Sequence, residues 1–183
     1  SLIAEAPAQS LQNDQLRHAL TANILRASRN QYSLEVLLSL ARFTGHHWDL
    51  LTSVGQAERD LTQAAAAAAK KEPARAVGHL VAAHNRVARI EQESADVRRY
   101  ITTVFEKSRY PKGREVDGRK FVHVLDDTKD HWADRTPDLG FMFVPEMSIG
   151  LAEWRAQLSK ITSDYAKRNN VPVRGLAEAR LEE

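Results

Sequence analysis

The strongest structural signal in the sequence is the stretch Ala64-Ala65-Ala66-Ala67-Ala68-Ala69-Lys70-Lys71-Glu72-Pro73. Alanine has the highest intrinsic helix propensity, and lysines suit the last turn of a helix because they oppose its negative end. Proline stops one helix and is well tolerated in the first turn of the next. The stretch therefore predicts the end of one helix, a tight turn and the start of a second helix.

Apolar residues on both sides of this turn recur about every 3.5 residues, which is the spacing of a coiled-coil-like seam. The upstream stripe includes Leu34, Leu38, Trp48, Leu61 and Ala68, and the downstream stripe includes Val77, His84, Ile90, Ile101 and Val104. Each stripe predicts a helix of about 35 residues and about 50 Å. The turn predicts that the two helices are antiparallel, with Trp48 and His84 in the core.

Two further helices are predicted outside this hairpin. The first begins at Ser10 and carries an apolar face as far as Leu25, after which Arg29-Asn30-Gln31 forms a polar break. The last runs from about Pro145 to Lys167, with Trp154 and Ile161 in its seam. Residues 1–9 are predicted as a flexible lead-in and residues 169–183 as a frayed tail.

An insertion of different character is predicted near residues 109–144. Asp117-Gly118 is a strong hairpin signal, and Phe121-Val122-His123-Val124-Leu125 has the composition of a short strand. We therefore predict a mainly α fold: an antiparallel bundle of three to four long helices over residues 10–168, with a small β-hairpin or irregular insertion.

Composition excludes several classes of function. The chain of 183 residues has no cysteine, so it has no disulfide framework and no thiolate nucleophile. Its 26 basic and 24 acidic side chains are near balance and interleaved, which does not indicate nucleic-acid binding. No apolar run is long enough for a membrane span, and neither a nucleophile elbow nor a phosphate-binding glycine loop is present. We expect no cofactor and no catalytic residue in this chain.

The candidate binding residues lie in the acidic part of the insertion. They are Asp127, Asp130, His131, Trp132, Asp134 and Arg135. Carboxylates can accept hydrogen bonds from sugar hydroxyls, and an indole ring can stack on the apolar face of a sugar. The same carboxylates could instead pair with the basic residues 107–120 and fix the insertion to the bundle.

A metal site has weaker support. Asp127 and His131 are spaced i, i+4, which places them on one face of a helix. The adjacent residues His46 and His47 would point about 100° apart on a helix and could not easily share an ion. No familiar metal motif is present, and we predict no metal.

Three segments carry a family resemblance. They are Asn30-Gln31-Tyr32-Ser33-Leu34-Glu35-Val36, then Glu106-Lys107-Ser108-Arg109-Tyr110-Pro111-Lys112-Gly113, and then the run from Phe121 to Arg135, which contains Leu125-Asp126-Asp127-Thr128-Lys129-Asp130-His131-Trp132. Together they resemble the C-terminal helical region of large bacterial glycoside hydrolases similar to family 20 β-N-acetylhexosaminidases, over about residues 20–168.

The resemblance implies an accessory role. The chemistry of that family takes place in a (β/α)8 barrel of about 250 residues, which this chain cannot contain, so no catalytic carboxylate can be assigned here. The chain would then be a piece of a larger enzyme acting on N-acetylhexosamine-type sugars, an expectation that its start at Ser1 without Met also favours. Its partner would be the catalytic domain of the same chain, together with carbohydrate, and its location would be periplasmic or secreted.

Two other functions remain open at this point. One is a stand-alone helical module that binds a protein through its long helical hairpin. The other is a small enzyme or metal protein built on the acidic segment.

Overall fold

The computed structural model describes residues 1–107, 115–120 and 150–177. These residues form four helices: α1 (Leu2–Arg26), α2 (Gln31–Ala69), α3 (Pro73–Glu106) and α4 (Leu151–Arg168). Two strands of two residues each, β1 (Glu115–Val116) and β2 (Arg119–Lys120), lie between α3 and α4. The prediction of a mainly α bundle is confirmed.

The turn between α2 and α3 has the geometry that its sequence predicts. The N–H of Glu72 donates to the carbonyl of Ala67 over 2.9 Å, and the N–H of Lys71 donates to that of Ala68 over 3.0 Å. Lys71 has a left-handed backbone with φ of 58°. This is a Schellman motif, which satisfies carbonyls that would otherwise lack a partner at the helix end. Pro73 then begins α3 directly.

The contacts between helices show a regular antiparallel register. On α1 and α2, Ile3 lies beside Gly55, and further along the same interface Ser10 donates to Asp49 over 2.5 Å. Partners on α2 therefore move back along the chain as those on α1 move forward.

The register of α2 and α3 is also antiparallel, as their turn requires. Arg86 donates to the Asp60 carboxylate over 2.6 Å and to the Gln56 side chain over 2.7 Å. At the far end of the same pair, the Lys107 ammonium lies 2.6 Å from the Glu35 carboxylate.

The main apolar core is formed by α2, α3 and α4. Its buried members are Ala57, Ala83, Val87, Ile90, Leu151 and Leu158, with Leu50, Leu61 and Trp154 packed against them. None of these described residues belongs to α1. Within the described part of the chain, α1 therefore lies outside the main core and packs only on α2.

The direction of α4 follows from two contacts. Arg155 donates to Glu91 over 2.5 Å, and Asn85 holds the backbone of Gly175 and Ala177 beyond the end of α4. Suppose that α4 were parallel to α3, with Arg155 beside Glu91. The end of α4 at Arg168 would then lie about 29 Å from Asn85, but the seven residues from Arg168 to Gly175 can span at most about 24 Å. The helix α4 is therefore antiparallel to α3.

Two predictions at the chain ends are wrong. Residues 2–9 are helical rather than a lead-in, because Ile3 and Ala6 pack on α2, and Ala6 is fully buried although Pro7 lies within the helix. The tail is not frayed as far as Ala177: the Asn85 amide donates to the Gly175 carbonyl over 2.7 Å and accepts from the Ala177 N–H over 2.8 Å.

Two predictions for the last third of the chain also change. Ile161 is 52% exposed, whereas Thr162 is fully buried. The physical reason is that α4 follows the 3.6-residue period of a straight helix, so its buried face moves away from a strict 3.5 repeat. Trp154 does pack on the core, as predicted, but it is half-buried.

The predicted insertion is described only at its turn. Asp117 and Gly118 both have positive φ, and Glu115 pairs with Lys120 and Val116 with Arg119 in an antiparallel register. This is the two-residue turn that Asp-Gly favours. The predicted strand Phe121–Leu125, the remainder of residues 109–144 and the start of the last helix at Pro145 lie outside the described residues, so a hairpin of the predicted size is not established.

No helix among the described residues combines the length and apolar character needed to cross a membrane.

Candidate functional site

The six candidate residues Asp127, Asp130, His131, Trp132, Asp134 and Arg135 lie outside the described residues. The structure does describe the two points between which their segment runs. Along the chain the candidate residues lie between Lys120, the last residue of β2, and Gly150, the residue that precedes α4.

The described residues contain a second candidate site, a polar cleft between α1 and α3. In these two described helices, no Cα atom of α1 lies within 8 Å of one of α3, although both pack on α2. The space between them forms two adjoining cavities of about 420 and 300 Å³, and Arg17 and Arg42 line both. The floor of the cleft is α2, and its walls are α1 and α3.

His46 is the most buried ionisable residue of the cleft, with an exposed fraction of 5%. Its Nε2 lies 2.7 Å from the Ser94 hydroxyl, which also donates to the Ile90 carbonyl over 2.9 Å. A hydroxyl has a single proton, so it cannot donate to both groups. The arrangement that satisfies every donor has His46 donating from Nε2 and Ser94 donating to Ile90.

This hydrogen-bond arrangement leaves Nδ1 of His46 as an acceptor with no donor. That atom is buried and has no hydrogen-bond partner among the described residues, and the same holds for Asn13 Oδ1 and Thr52 Oγ1. An unpaired acceptor inside a protein costs free energy. The region where α1, α2 and the cleft meet therefore contains three buried polar atoms without a hydrogen-bond partner among the described residues.

Two pKa shifts follow from the same burial. Burial lowers the pKa of His46 below its ordinary value of 6.5, and the Asp49 carboxylate offsets part of this effect. Burial raises the pKa of Glu93 above its ordinary value of 4.5, and the Arg89 guanidinium 3.6 Å away offsets part of that shift. Both shifts favour the uncharged form of the group.

The charges around the cleft are largely matched within the protein. The lining includes three arginines and four carboxylates: Arg17, Arg42, Arg89, Asp14, Asp49, Glu93 and Asp96. Arg17 pairs with Asp14. The Arg42 guanidinium instead lies 3.9 Å from the centre of the Tyr100 ring, a cation–π contact. The cleft therefore presents both signs of charge rather than one strong field.

The geometry of Ser94 and His46 favours binding or structure over nucleophilic catalysis. In the arrangement that satisfies all donors, the Ser94 proton points to Ile90 and not to the imidazole, so His46 does not act as its base. Ser94 lies inside α3, where the backbone N–H groups are already used by helical hydrogen bonds. Such a site lacks the free amide donors of an oxyanion hole.

A metal is not indicated by this part of the chain. Within the described residues, no group of three or more His, Asp or Glu side chains is arranged to hold an ion. His46 and His47 do not converge: His46 contacts Ser94, whereas His47 makes an edge contact with Trp48.

The His46–Ser94 pair of the cleft could have been found in the sequence by applying the hairpin register. A turn at Lys70–Glu72 with antiparallel helices pairs residues whose numbers add to a constant, and this places His46 opposite Ser94. The position of α1 could not be found in the same way, because its contacts depend on small residues such as Gly45 and Gly55.

Comparison of the chain with protein-family models, with curated proteins and with solved structures finds no match in any of the three.

Proposed function

We propose that the chain is a non-catalytic helical accessory domain of a carbohydrate-active enzyme, which supports a catalytic barrel or lines its sugar cleft. The role rests on the resemblance to the C-terminal region of family 20-like glycoside hydrolases. The observation that carries the proposal is the convergence of separate resemblance segments at one end of the bundle.

That convergence depends on one ion pair. Glu35 belongs to the segment Asn30–Val36 at the start of α2, and Lys107 belongs to the segment Glu106–Gly113, which begins at the end of α3. Their charged groups lie 2.6 Å apart, although the residues are separated by 72 positions in the sequence. The antiparallel register of α2 and α3 thus brings the two segments together.

The insertion that contains the candidate sugar-binding residues follows α3 in the chain, and α3 ends at this end of the bundle. A site at the rim of a neighbouring domain needs a rigid support, and α2 and α3 are continuous helices of 39 and 34 residues. At 1.5 Å per residue they form a strut of about 50–60 Å. Arg86, Asp60 and Gln56 tie the two helices together between this end and the turn.

A titration tests the sugar contact. Chitobiose is added to the full chain while tryptophan fluorescence and NMR shifts are followed. We expect a saturable change that disappears in Trp132→Phe and persists in Trp154→Phe, whose indole packs on the core. A change that persists in Trp132→Phe, or no change at millimolar sugar, contradicts a contact through residues 127–135.

The accessory role itself is tested by the gene. We expect the reading frame that encodes these residues to encode, before them, a β/α repeat pattern of about 250 residues or more. A reading frame without such a pattern contradicts the accessory role, whatever the titration shows.

A second function is favoured by a different observation. Six of the seven large exposed apolar residues found in the described part of the chain lie on α1 and α2: Leu2, Leu11, Leu16, Leu25, Leu37 and Leu40. Exposed leucines on neighbouring helices are typical of a protein-binding surface. If a stand-alone module binds a protein through this surface, the amides near Leu11, Leu16, Leu37 and Leu40 should be protected from hydrogen exchange when the partner is added, and unchanged exchange there would contradict it.

A further inference from the structure

We propose that α1 is a displaceable helix that gates the polar cleft: it swings away from α2 about residues 27–30 while α2, α3 and α4 remain folded. The inference concerns a motion of the bundle and does not depend on the proposed function.

The first observation is that α1 is attached to one helix only. Among the described residues, no Cα atom of α1 lies within 8 Å of one of α3 or α4. The main apolar cluster is built from α2, α3 and α4 without any described residue of α1. Separation of α1 from α2 therefore leaves the main core intact.

The second observation is the composition of the α1–α2 interface. Its only fully or nearly buried α1 residues are Ala6 and Asn13, one of them polar. The Asn13 side-chain oxygen is buried without a hydrogen-bond partner in the described part of the chain. Release of α1 would let water reach this oxygen, which offsets part of the cost of opening.

The third observation is the connection to α2. It has four residues, Ala27 to Asn30, and changes from an extended backbone at Ala27 to a left-handed one at Asn30, where φ is 57°. A hinge needs only a few residues that can absorb a change in backbone angles.

The consequence of opening is specific. One wall of the cleft is formed by Asp14, Arg17, His18 and Thr21, all of which belong to α1. Arg17 is the α1 residue that lines the cavity of His46 and Asp49, so departure of α1 would open that cavity on its Arg17 side and would open the adjoining cavity completely on the side of α1. In the closed bundle His46 is only 5% exposed: Ser94 of α3 contacts its Nε2, and Arg17 of α1 borders the cavity beside it.

Hydrogen exchange of the full chain is the first test. We expect the amides of the middle of α1, residues 13–20, to exchange at least about tenfold faster than those of residues 83–90 in α3, because they exchange by local opening. Equal rates for the two segments would overturn the proposal. Fast exchange confined to residues 2–8 would also overturn it, because that pattern is fraying of a helix end.

A disulfide staple is the second test. The Cβ position of residue 55 would lie 3.9 Å from Cβ of Ile3, within the range of about 3.5–4.5 Å that a disulfide requires. The double variant Ile3→Cys/Gly55→Cys has no other cysteine and loses the Ile3 methyl group that would obstruct a side chain at position 55. We expect oxidation to slow exchange at residues 13–20 to the rate of α3, and reduction to reverse this. Exchange that is unaffected by oxidation would overturn the gate.

Cysteine labelling gives an independent measurement with a matched pair. Ala6 and Ala57 are both fully buried, the first on the face of α1 that packs on α2 and the second in the main core. We expect a thiol reagent to modify Ala6→Cys at least about tenfold faster than Ala57→Cys in the folded protein, because local opening is less costly than global unfolding. Equal labelling rates would mean that both sites open only by global unfolding, which contradicts the proposal.

Discussion

Gly55 provides a sharp test of how closely α1 approaches α2. An alanine there is favoured by helix propensity by about 0.8–1.0 kcal/mol, because glycine is the weaker helix former. However, its Cβ would lie 2.5 Å from Ile3 Cγ2, whereas apolar carbon atoms pack at about 3.5–4.0 Å. The methyl group of Ile3 is attached to Cβ and cannot rotate freely away, so α1 must shift by about 1 Å.

The expected free energy follows from these two opposed effects. Overpacking of this kind costs about 1–3 kcal/mol, so Gly55→Ala should lower the free energy of unfolding by about 0–2 kcal/mol. Gly78→Ala is the matched control, since it also lies inside a helix and its Cβ would meet no atom within 4 Å. It should raise the free energy of unfolding by about 0.5–1 kcal/mol.

The assay is urea unfolding followed by far-ultraviolet circular dichroism for both variants and the parent. A double-mutant cycle with Ile3→Ala isolates the contact, because Gly55→Ala should become favourable once Cγ2 is absent. If Gly55→Ala stabilises the parent as much as Gly78→Ala does, the close approach of α1 to α2 is incorrect.

Four more outcomes are expected. His46 has a lowered pKa in the folded protein, so the unfolded chain binds more protons than the folded chain as the pH falls below 6.5. The free energy of unfolding should therefore decrease as the pH drops from about 7. His46→Gln should make this decrease smaller when stability is measured by urea unfolding at each pH. The pKa of Glu93 is shifted in the opposite direction: its raised pKa contributes stability at pH below 4.5, and this stability is lost as the pH rises through the folded pKa. Glu93→Gln should remove this contribution. An unchanged pH profile in the His46 or the Glu93 variant would contradict the burial described for that residue. Asn85→Ala should free the backbone of residues 175–177, seen as faster amide exchange at Ala177 with α4 unchanged. Trp154→Ala should cost less than about 3 kcal/mol, because the half-buried indole removes less area than a fully buried one, and a stability equal to the parent would mean that α4 is not docked.

The hairpin of α2 and α3 was predictable because local signals and packing agree there. Alanine-rich helix, lysine-rich last turn and Pro73 all indicate the same turn, and the Schellman motif forms where they predict it. The break at Asn30 was predictable for a similar reason, since a left-handed residue between two helices favours asparagine.

The chain ends were not predictable because their structure depends on distant contacts. Pro7 and the polar residues before Ser10 indicate a lead-in, yet Ile3 and Ala6 find a seat on α2. The tail is held by Asn85, a residue 90 positions away from Gly175. Neither contact can be recognised from the sequence near it, because tertiary packing determines the structure of both chain ends.

The candidate site was predictable only in part. The density of acidic and aromatic residues in the sequence identified residues 127–135 as a candidate sugar-binding segment, and this assignment remains a prediction. The His46–Ser94 pair was overlooked because each residue is ordinary in its own helix. Only the antiparallel register of α2 and α3 brings the imidazole and the hydroxyl to 2.7 Å.

The order in which the helices pack has a consequence for folding. Helix-to-helix contacts in the described residues join α1 with α2, α2 with α3 and α3 with α4, always neighbours along the chain. Such a topology has low contact order, so little loop entropy is lost before contacts form, and folding should be fast. Because α1 contributes no described residue to the core that α2, α3 and α4 share, we expect removal of residues 1–26 to lower stability by a separate step. Removal of α4 takes Leu151 and Leu158 out of that shared core and should destabilise α2 and α3 together.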